Sequence, residues 1–427
     1  MKRLFTTLAI AALFVVSCFA QIRGNNITVT VTPDHKDWTY KVGEKAVFTV
    51  NVLKSGTLLD NAEISYELGQ EMYPTEKKIM TLKDGTAKIS GKMQTPGFMR
   101  LTVTAKVNGK EYKAWTTAAY SPEKIQPTAQ CPKDFDAFWS KAIEEARWTA
   151  LEPTMEFLPE RSSPDVNTYH VSFQNDRWGR RVYGILNVPA KPGSYPAIMK
   201  VPGAGVRPYG GDQGLAKKGF VVLEIGIHGI PVTKPQDYYD NLFSAALADY
   251  WTHGCNNRDR SYYKHVITGC IRAIDFLETL PAWNKKGLGV CGSSQGGFLT
   301  LATTALDNRV TCYAPVHAAM CDHEAALKHQ PCGWPHLFYN ISNPDKAEVE
   351  CMRYYDGVNF ARRIKVPGWF SFGYNDDVVA PTSMYATYNV VTGPKTISPY
   401  QQTAHFWYQE QYDEWFDWLG AQLTGNK

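Results

Sequence analysis

A chain of 427 residues that is 44% hydrophobic and 13% aromatic holds enough apolar surface for one large core and a smaller one, so two domains are expected. Basic residues number 45 against 41 acidic, a formal charge of +4. That weak balance is spread without the Lys/Arg runs that track a phosphate backbone, which excludes nucleic acid as an expected partner.

In chain order, residues 1–20 come first. They place Lys2 and Arg3 before an apolar stretch from Leu4 to Val16 and then small residues, the pattern of an export signal. Two endings fit it. Cleavage can follow Ala20, or Val15-Val16-Ser17-Cys18 can serve as a bacterial lipobox that leaves Cys18 lipidated and anchors the protein to the cell surface. The mature chain is expected outside the cytoplasm: periplasmic, secreted or lipid-anchored. No later segment approaches the roughly twenty apolar residues that cross a bilayer.

From about Asn26 to Tyr120, ITVTVT, AVFTVNV, AEISYEL, KIMTL, TAKISGKM, RLTVTAKV and YKAWTTAAY alternate with period two, as half-buried strands do. Asp84-Gly85 and Asn108-Gly109 sit where two-residue hairpins want positive φ. Residues 22–122 are therefore expected to form an immunoglobulin-like β-sandwich. Its scattered carboxylates offer no metal-ligand spacing.

After the connector SPEKIQPTAQCP the character changes, and a second domain is expected over 130–427. Phe135, Phe138, Trp139, Ile143 and Ala146 recur at helical spacing behind Asp134, a residue type that caps helices. Beyond Tyr169 short apolar strands (VYGILNVPA, YPAIMKVPG, FVVLEIG, GLGVCG, VTCYAPV, GWFSFGY, KTISPY) alternate with helical segments, the last being YQEQYDEWFDWLGAQL. Such alternation predicts a doubly wound, mostly parallel sheet, which carries its site at the carboxyl ends of its strands.

At one such end stands GLGVCGSSQGGF, residues 287–298. A strand, a glycine-framed serine and a helix make a nucleophile elbow, the mark of an α/β-hydrolase. Only Ser294 has glycines two residues to either side, Gly292 and Gly296. A serine hydroxyl needs a base oriented by an acid, and in this fold the chain order is Ser, acid, His. Of the histidines that follow (His317, His323, His329, His336, His405), only His405 comes after a late strand and before the final helix. For the acid, WFSFGYNDDVVAP ends a strand with Asp376 and Asp377. Asp376 is favoured as nearer the strand end, with Asp377 as the fallback. The oxyanion of an acyl transfer requires two N–H donors; Gln295, next after the serine, and Ala204 in the loop VPGAGVRPYGG are the candidates.

Five segments together resemble the acetyl xylan esterase and cephalosporin C deacetylase family of carbohydrate esterases. They are DFDAFWSKAIEEAR, SFQNDRWGRRVYGILNVPA, YYKHVITGCIRAIDFLETLPAW leading into GVCGSSQGG, GYNDDVVAPTSMYATYNVVTGPK, and PYQQTAH. The likeness spans about residues 130 to 425 and leaves the sandwich outside. It implies a Ser294–His405–Asp376 triad, oxyanion donors at Gln295 and Ala204, no cofactor, and hydrolysis of small acyl esters, acetyl above all, on plant-type oligosaccharides. Two positions depart from the family pattern: His228-Gly229-Ile230 stand where Arg-Gly-Gln is usual, and Phe406 follows the histidine. The family's ring-like assembly is not carried over, and the oligomeric state stays open. A serine peptidase on the same fold and a catalytically inactive glycan-binding surface protein are the alternatives.

Other residues have blander readings. His317, Cys321, Asp322 and His323 lack a standard metal spacing and suit a polar loop over the mouth of the site; Asp322 is also a conceivable substitute acid. The aromatic cluster WPHLFYN at 334–340, with Tyr354, Tyr355 and Trp407, suits either a sugar-stacking platform or lid packing. Of the nine cysteines, Cys270, Cys291 and Cys312 read as small buried hydrophobes. Cys255, Cys321, Cys332 and Cys351 fall in irregular segments, where disulfides are more readily expected.

Overall fold

The structure is a computed structural model describing residues 25–425; the expected leader and Cys18 lie outside the described residues. All seven period-two runs near the N-terminus are strands. Ala46–Lys54 shows why: Ala46, Phe48, Val50 and Val52 are buried and the residues between them are not, because successive side chains on a strand point to opposite faces. Ile27–Pro33 and Thr86–Gly91 both pair with Ala46–Lys54. The facing sheet runs Thr39–Tyr40, Lys110–Tyr120, Gly97–Val107, Ala62–Gln70, Tyr73–Leu82. Phe48, Val50, Ile64, Leu101 and Val103 meet in the core between them.

The two turn signals differ in outcome. Asn108 and Gly109 have φ of 50° and 74° and close a two-residue hairpin, with Val107 opposite Lys110. Gly85 also has positive φ, 68°, but the turn at Asp84-Gly85 is no hairpin: Tyr73–Leu82 and Thr86–Gly91 belong to different sheets. A tight turn fixes the local backbone and leaves open which strand the chain pairs with next.

The second layer is a nine-stranded sheet in the order Thr154–Phe157, Val166–Gln174, Arg181–Pro189, Val221–Gly226, Tyr195–Lys200, Trp283–Ser293, Cys312–Val316, Gly368–Phe370, Lys395–Ile397. The first three joints are antiparallel, and every joint from Val221–Gly226 onward is parallel. Both faces are covered, so these strands are apolar on both sides. Ala197, Met199, Leu288 and Val290 face the core under helices Tyr262–Thr279 and Gln295–Leu306. Ile198, Cys291 and Cys312 face Trp415, Phe416 and Leu419 of helix Gln409–Thr424.

The two layers share packing. Phe98 and Ala119, on the outer face of the sandwich, belong to the core cluster of the large sheet. Full burial of Phe98 alone contributes about 1.5–3 kcal/mol to this attachment.

Two expectations are corrected here. Asp134 stands at the start of helix Phe135–Arg147 without capping it; its carboxylate accepts from Arg258 at 2.7 Å and from the Tyr354 hydroxyl. All eight described cysteines are free thiols. Cys321, Cys332 and Cys351 are built into the large core with Cys270, and the Cys255 thiol donates to Glu348 at 3.3 Å.

Asp322 is buried and holds the connector SPEKIQPTAQCP: its Oδ1 accepts from Thr128 N, Thr128 Oγ1 and Ala129 N at 2.7–2.8 Å. Burial, aided by the nearby Asp356 charge, pushes its carboxyl up to about 7. A folded-state value above the unfolded one means that the stability present in acid is lost as pH rises through 7. Asp322→Asn keeps the accepting oxygen without the charge. Its melting temperature should therefore gain on the wild type between pH 4 and pH 8, by on the order of a few degrees, in thermal scans across that range.

Candidate active site

Strand Trp283–Ser293 and helix Gln295–Leu306 meet at Ser294, whose φ of 61° and ψ of −124° hold it in a conformation costing about 1–3 kcal/mol. Neighbours enforce it: Ser294 N–H donates to Val316 O at 2.9 Å, and Ala319 N–H donates to Ser294 O at 3.0 Å. The flanking glycines are steric requirements. A Cβ on Gly292 or Gly296 would lie 2.5 or 2.4 Å from Val201 O, and one on Gly297 would lie 2.7 Å from Ala318 Cα. Ser293 is still in the strand, so the strained position belongs to Ser294.

Asp376 lies in the loop after strand Gly368–Phe370, fully buried, while Asp377 is exposed. Its Oδ1 accepts from the N–H groups of Val378 and Val379 at 2.9 and 2.8 Å. Its Oδ2 faces His405 Nδ1 at 2.8 Å and His317 Nδ1 at 3.0 Å. Burial alone would raise this carboxyl; the two imidazoles outweigh it and hold the group well below the usual carboxylate range. An ionised carboxylate only accepts, so both imidazoles donate through Nδ1–H, and a neutral ring in that tautomer carries its lone pair on Nε2. His317 Nε2 is buried without a partner among the described residues. His405 is partly exposed and lines the same cavity as Ser294. Gly373 makes this meeting sterically feasible, since a Cβ there would fall 1.8 Å from Thr403 O in the loop that delivers His405.

Gln295 and Ala204 are also brought to the elbow. Ala204 lines the cavity beside Ser294. The buried Gln295 side chain ties the elbow to the Pro202–Gly205 loop: Nε2 donates to Pro202 O at 3.3 Å, and Oε1 accepts from the hydroxyls of Tyr250 and Tyr263 at 2.6 and 2.8 Å. Tyr250 OH in turn accepts from Gly205 N–H at 3.2 Å. His228, at one of the positions that depart from the family pattern, is a strut for this loop. Its Nε2–H donates to Gly205 O at 3.0 Å, its Nδ1 accepts from Tyr262 OH at 2.6 Å, and burial pushes its pKa down to about 4, so it stays neutral. Tyr250, Tyr263, His228 and His317 carry no sequence signal for these roles, because each acts through a tertiary contact.

The polar loop expected over the mouth of the site is instead interior. His317, Cys321, Asp322 and His323 are all buried, and they do not converge on one point. The donor atoms that do gather, within 4.8 Å, are those of His317, Asp376 and His405. Asp322 binds the connector, so it is no substitute acid. Of these aromatics, Trp334 and Trp407 line the cavity of about 680 Å³ above Ser294, Phe338, Tyr354 and Tyr355 pack in the core, and the Tyr339 hydroxyl donates to Met72 O at 3.0 Å.

A doubly covered parallel sheet with a strained serine at a strand-to-helix turn, and an acid-bound histidine facing the same cavity, defines an α/β-hydrolase. Comparison with known proteins narrows this. A family model described as acetyl xylan esterase (AXE1) matches residues 121–421. The acetyl esterase Axe7A of Xylanibacter ruminicola is 37% identical over 407 residues, 92% of this chain and 91% of that protein. The solved acetyl xylan esterase of a Paenibacillus species matches with a TM-score of 0.61 at 25% identity, over 70% of this chain and 98% of that one. Acetyl xylan esterase 1 from a Thermoanaerobacterium species shares the fold, with a TM-score of 0.62 at 21% identity over 70% and 97% of the two chains. The chain belongs to the acetyl xylan esterase family and is a carboxylic ester hydrolase.

The tight elbow gives a stability test. Gly296→Ala should destabilise the fold by about 1–3 kcal/mol through overpacking against Val201, read as a lower denaturant midpoint; an unchanged midpoint would mean that the elbow has room to relax.

Proposed function

We propose that this protein is an exported serine esterase that removes acetyl groups from plant-type oligosaccharides, with Ser294 as nucleophile, His405 as base, Asp376 as the orienting acid, and the N–H groups of Gln295 and Ala204 as oxyanion donors. The observation that carries this reading is the 2.8 Å contact of His405 Nδ1 with Asp376, which leaves the Nε2 lone pair as the proton acceptor beside Ser294. Ser294 and His405 line one cavity without a hydrogen bond between their side chains, and the mechanism requires that bond to form in the substrate complex, where catalytic hydrogen bonds commonly tighten.

His405 Nε2 takes the Ser294 proton as Oγ attacks the acetyl carbonyl, and the two backbone N–H groups meet the oxygen as it gains charge. Collapse breaks the ester bond, and the imidazolium returns its proton to the departing sugar oxygen. Water, deprotonated by His405, then attacks the acetyl-serine and releases acetate. Trp334 and Trp407 offer ring faces to which the apolar faces of sugar rings can pack.

Residues 1–20 serve as the export signal, with Cys18 as the alternative anchor. Residues 22–122 form an immunoglobulin-like domain and 130–427 the hydrolase domain; the strand order of the two small sheets supports the first of these.

Acetate release from acetylated xylo-oligosaccharides, compared with longer acyl esters and aminoacyl amides, tests the substrate. Acetyl esters should be preferred; preference for an amide would favour a peptidase. Ser294→Ala should lower kcat by about 10⁴-fold or more, and unchanged turnover would remove Ser294 from the chemistry. Asp376→Asn should lower kcat by about 10⁴-fold with KM nearly unchanged, because the wrong tautomer of His405 is favoured.

A further inference from the structure

The sandwich reaches the back of the active site. On its outer face, Phe98, Arg100 and Thr102 stand opposite Ala119, Thr117 and Trp115, and this row meets the loop that carries Asp376. Arg100 Nη2 donates to Asp376 O at 2.7 Å and to Tyr374 O at 3.3 Å. Trp115 Nε1 donates to the carbonyl between them, Asn375 O, at 2.9 Å. Arg100 is itself oriented by Thr117 Oγ1 at 2.9 Å and Glu71 Oε2 at 3.4 Å. The other Glu71 oxygen accepts from Thr382 N and Oγ1 at 3.0 and 2.6 Å, which caps helix Pro381–Val390 just beyond the loop. The acid-bearing segment is therefore gripped from 374 to 382 by side chains of the other layer.

The large sheet holds this segment less firmly than it holds the serine. Strand Gly368–Phe370 has three residues; all three pair with Lys395–Ile397 on one side, but on the other the strand meets Cys312–Val316 only through the register pair Tyr313–Gly368 and one isolated bridge from Val316 to Ser371. The side toward the serine strand is therefore the more weakly paired one. The Arg100 side chain is 12% exposed and Glu71 1%, so a desolvated guanidinium has given up water for these carbonyls, and such hydrogen bonds are among the stronger ones.

We propose that the sandwich is a structural part of the active site, with Arg100 as a positioning residue that fixes the Asp376 backbone and, through the Asp376 carboxylate, the imidazole of His405. This rests on the triad reading above. Arg100 touches no substrate. Its loss should appear in the chemical step, because misplacing a catalytic group by about 1 Å can cost about 100-fold, while the cavity walls at Ala204, Trp334 and Trp407 remain in place.

The test uses the full chain and p-nitrophenyl acetate, with thermal melting to establish folding and a serine-directed fluorophosphonate to titrate the active concentration. Per titrated site, Arg100→Ala should lower kcat by roughly 10- to 100-fold with KM within about twofold of wild type. Arg100→Lys, which restores a donor without the fork, should recover part of the loss. If Arg100→Ala does not fold, Trp115→Phe decides. It deletes the bond to Asn375 O while leaving an aromatic ring in place, and it should lower kcat several-fold at unchanged KM. Wild-type kcat in folded Arg100→Ala, or in Trp115→Phe where that variant decides, overturns the proposal. So does a loss wholly explained by fewer titratable sites. Ser294→Ala in the same series separates the two ideas: if it stays active the triad reading fails, whereas an inactive Ser294→Ala beside a fully active Arg100→Ala defeats the positioning role alone.

Discussion

The carboxylate of Asp376 organises this structure. Buried away from water, it accepts two backbone N–H groups on one oxygen and two imidazoles on the other. A charge at such depth persists only when its lone pairs are used, and here they are. That saturation keeps the group ionised, ionisation fixes both histidine tautomers, and the tautomer of His405 gives the cavity a basic nitrogen. If one donor is removed, the remaining groups must bury an uncompensated charge or shift to find another partner.

The opposite wall is built by steric means. Gly292, Gly296 and Gly297 let the serine turn press against Val201 and Ala318, and the Gln295 side chain with Tyr250 and Tyr263 binds that turn to the Pro202–Gly205 loop. Elbow and loop are thus one rigid piece, set on the long central strand Trp283–Ser293. Asp376 follows a strand of three residues and takes further support from side chains outside the sheet. The two halves of the site differ in balance: glycine-permitted backbone packing is prominent on one side, and hydrogen bonds from the small sheets on the other.

This contrast explains what could be read from the sequence. Period-two alternation and apolar runs located the strands because they are local consequences of which face is buried, and a serine framed by glycines between a strand and a helix stands out for the same reason. His405 and Asp376 were legible from their places after late strands. His317 was not, since it reads as one more polar residue in an irregular stretch until the fold turns it inward. Glu71 and Arg100 were less legible still: their partners Thr382 and Asp376 are 311 and 276 positions away, and an alternating strand shows which residues face outward without showing what they will meet. The Asp84-Gly85 turn and the cysteines of the irregular segments went astray for one shared reason, that local chemistry does not specify tertiary partners.

Proton NMR of the protein carrying isotope-labelled histidine is the most direct measurement of the central claim. Two strongly downfield, exchange-protected imidazole N–H signals should appear, one absent in a His405 variant, the other in a His317 variant, and both in Asp376→Ala. A spectrum without such signals, or with signals indifferent to Asp376, would contradict the account.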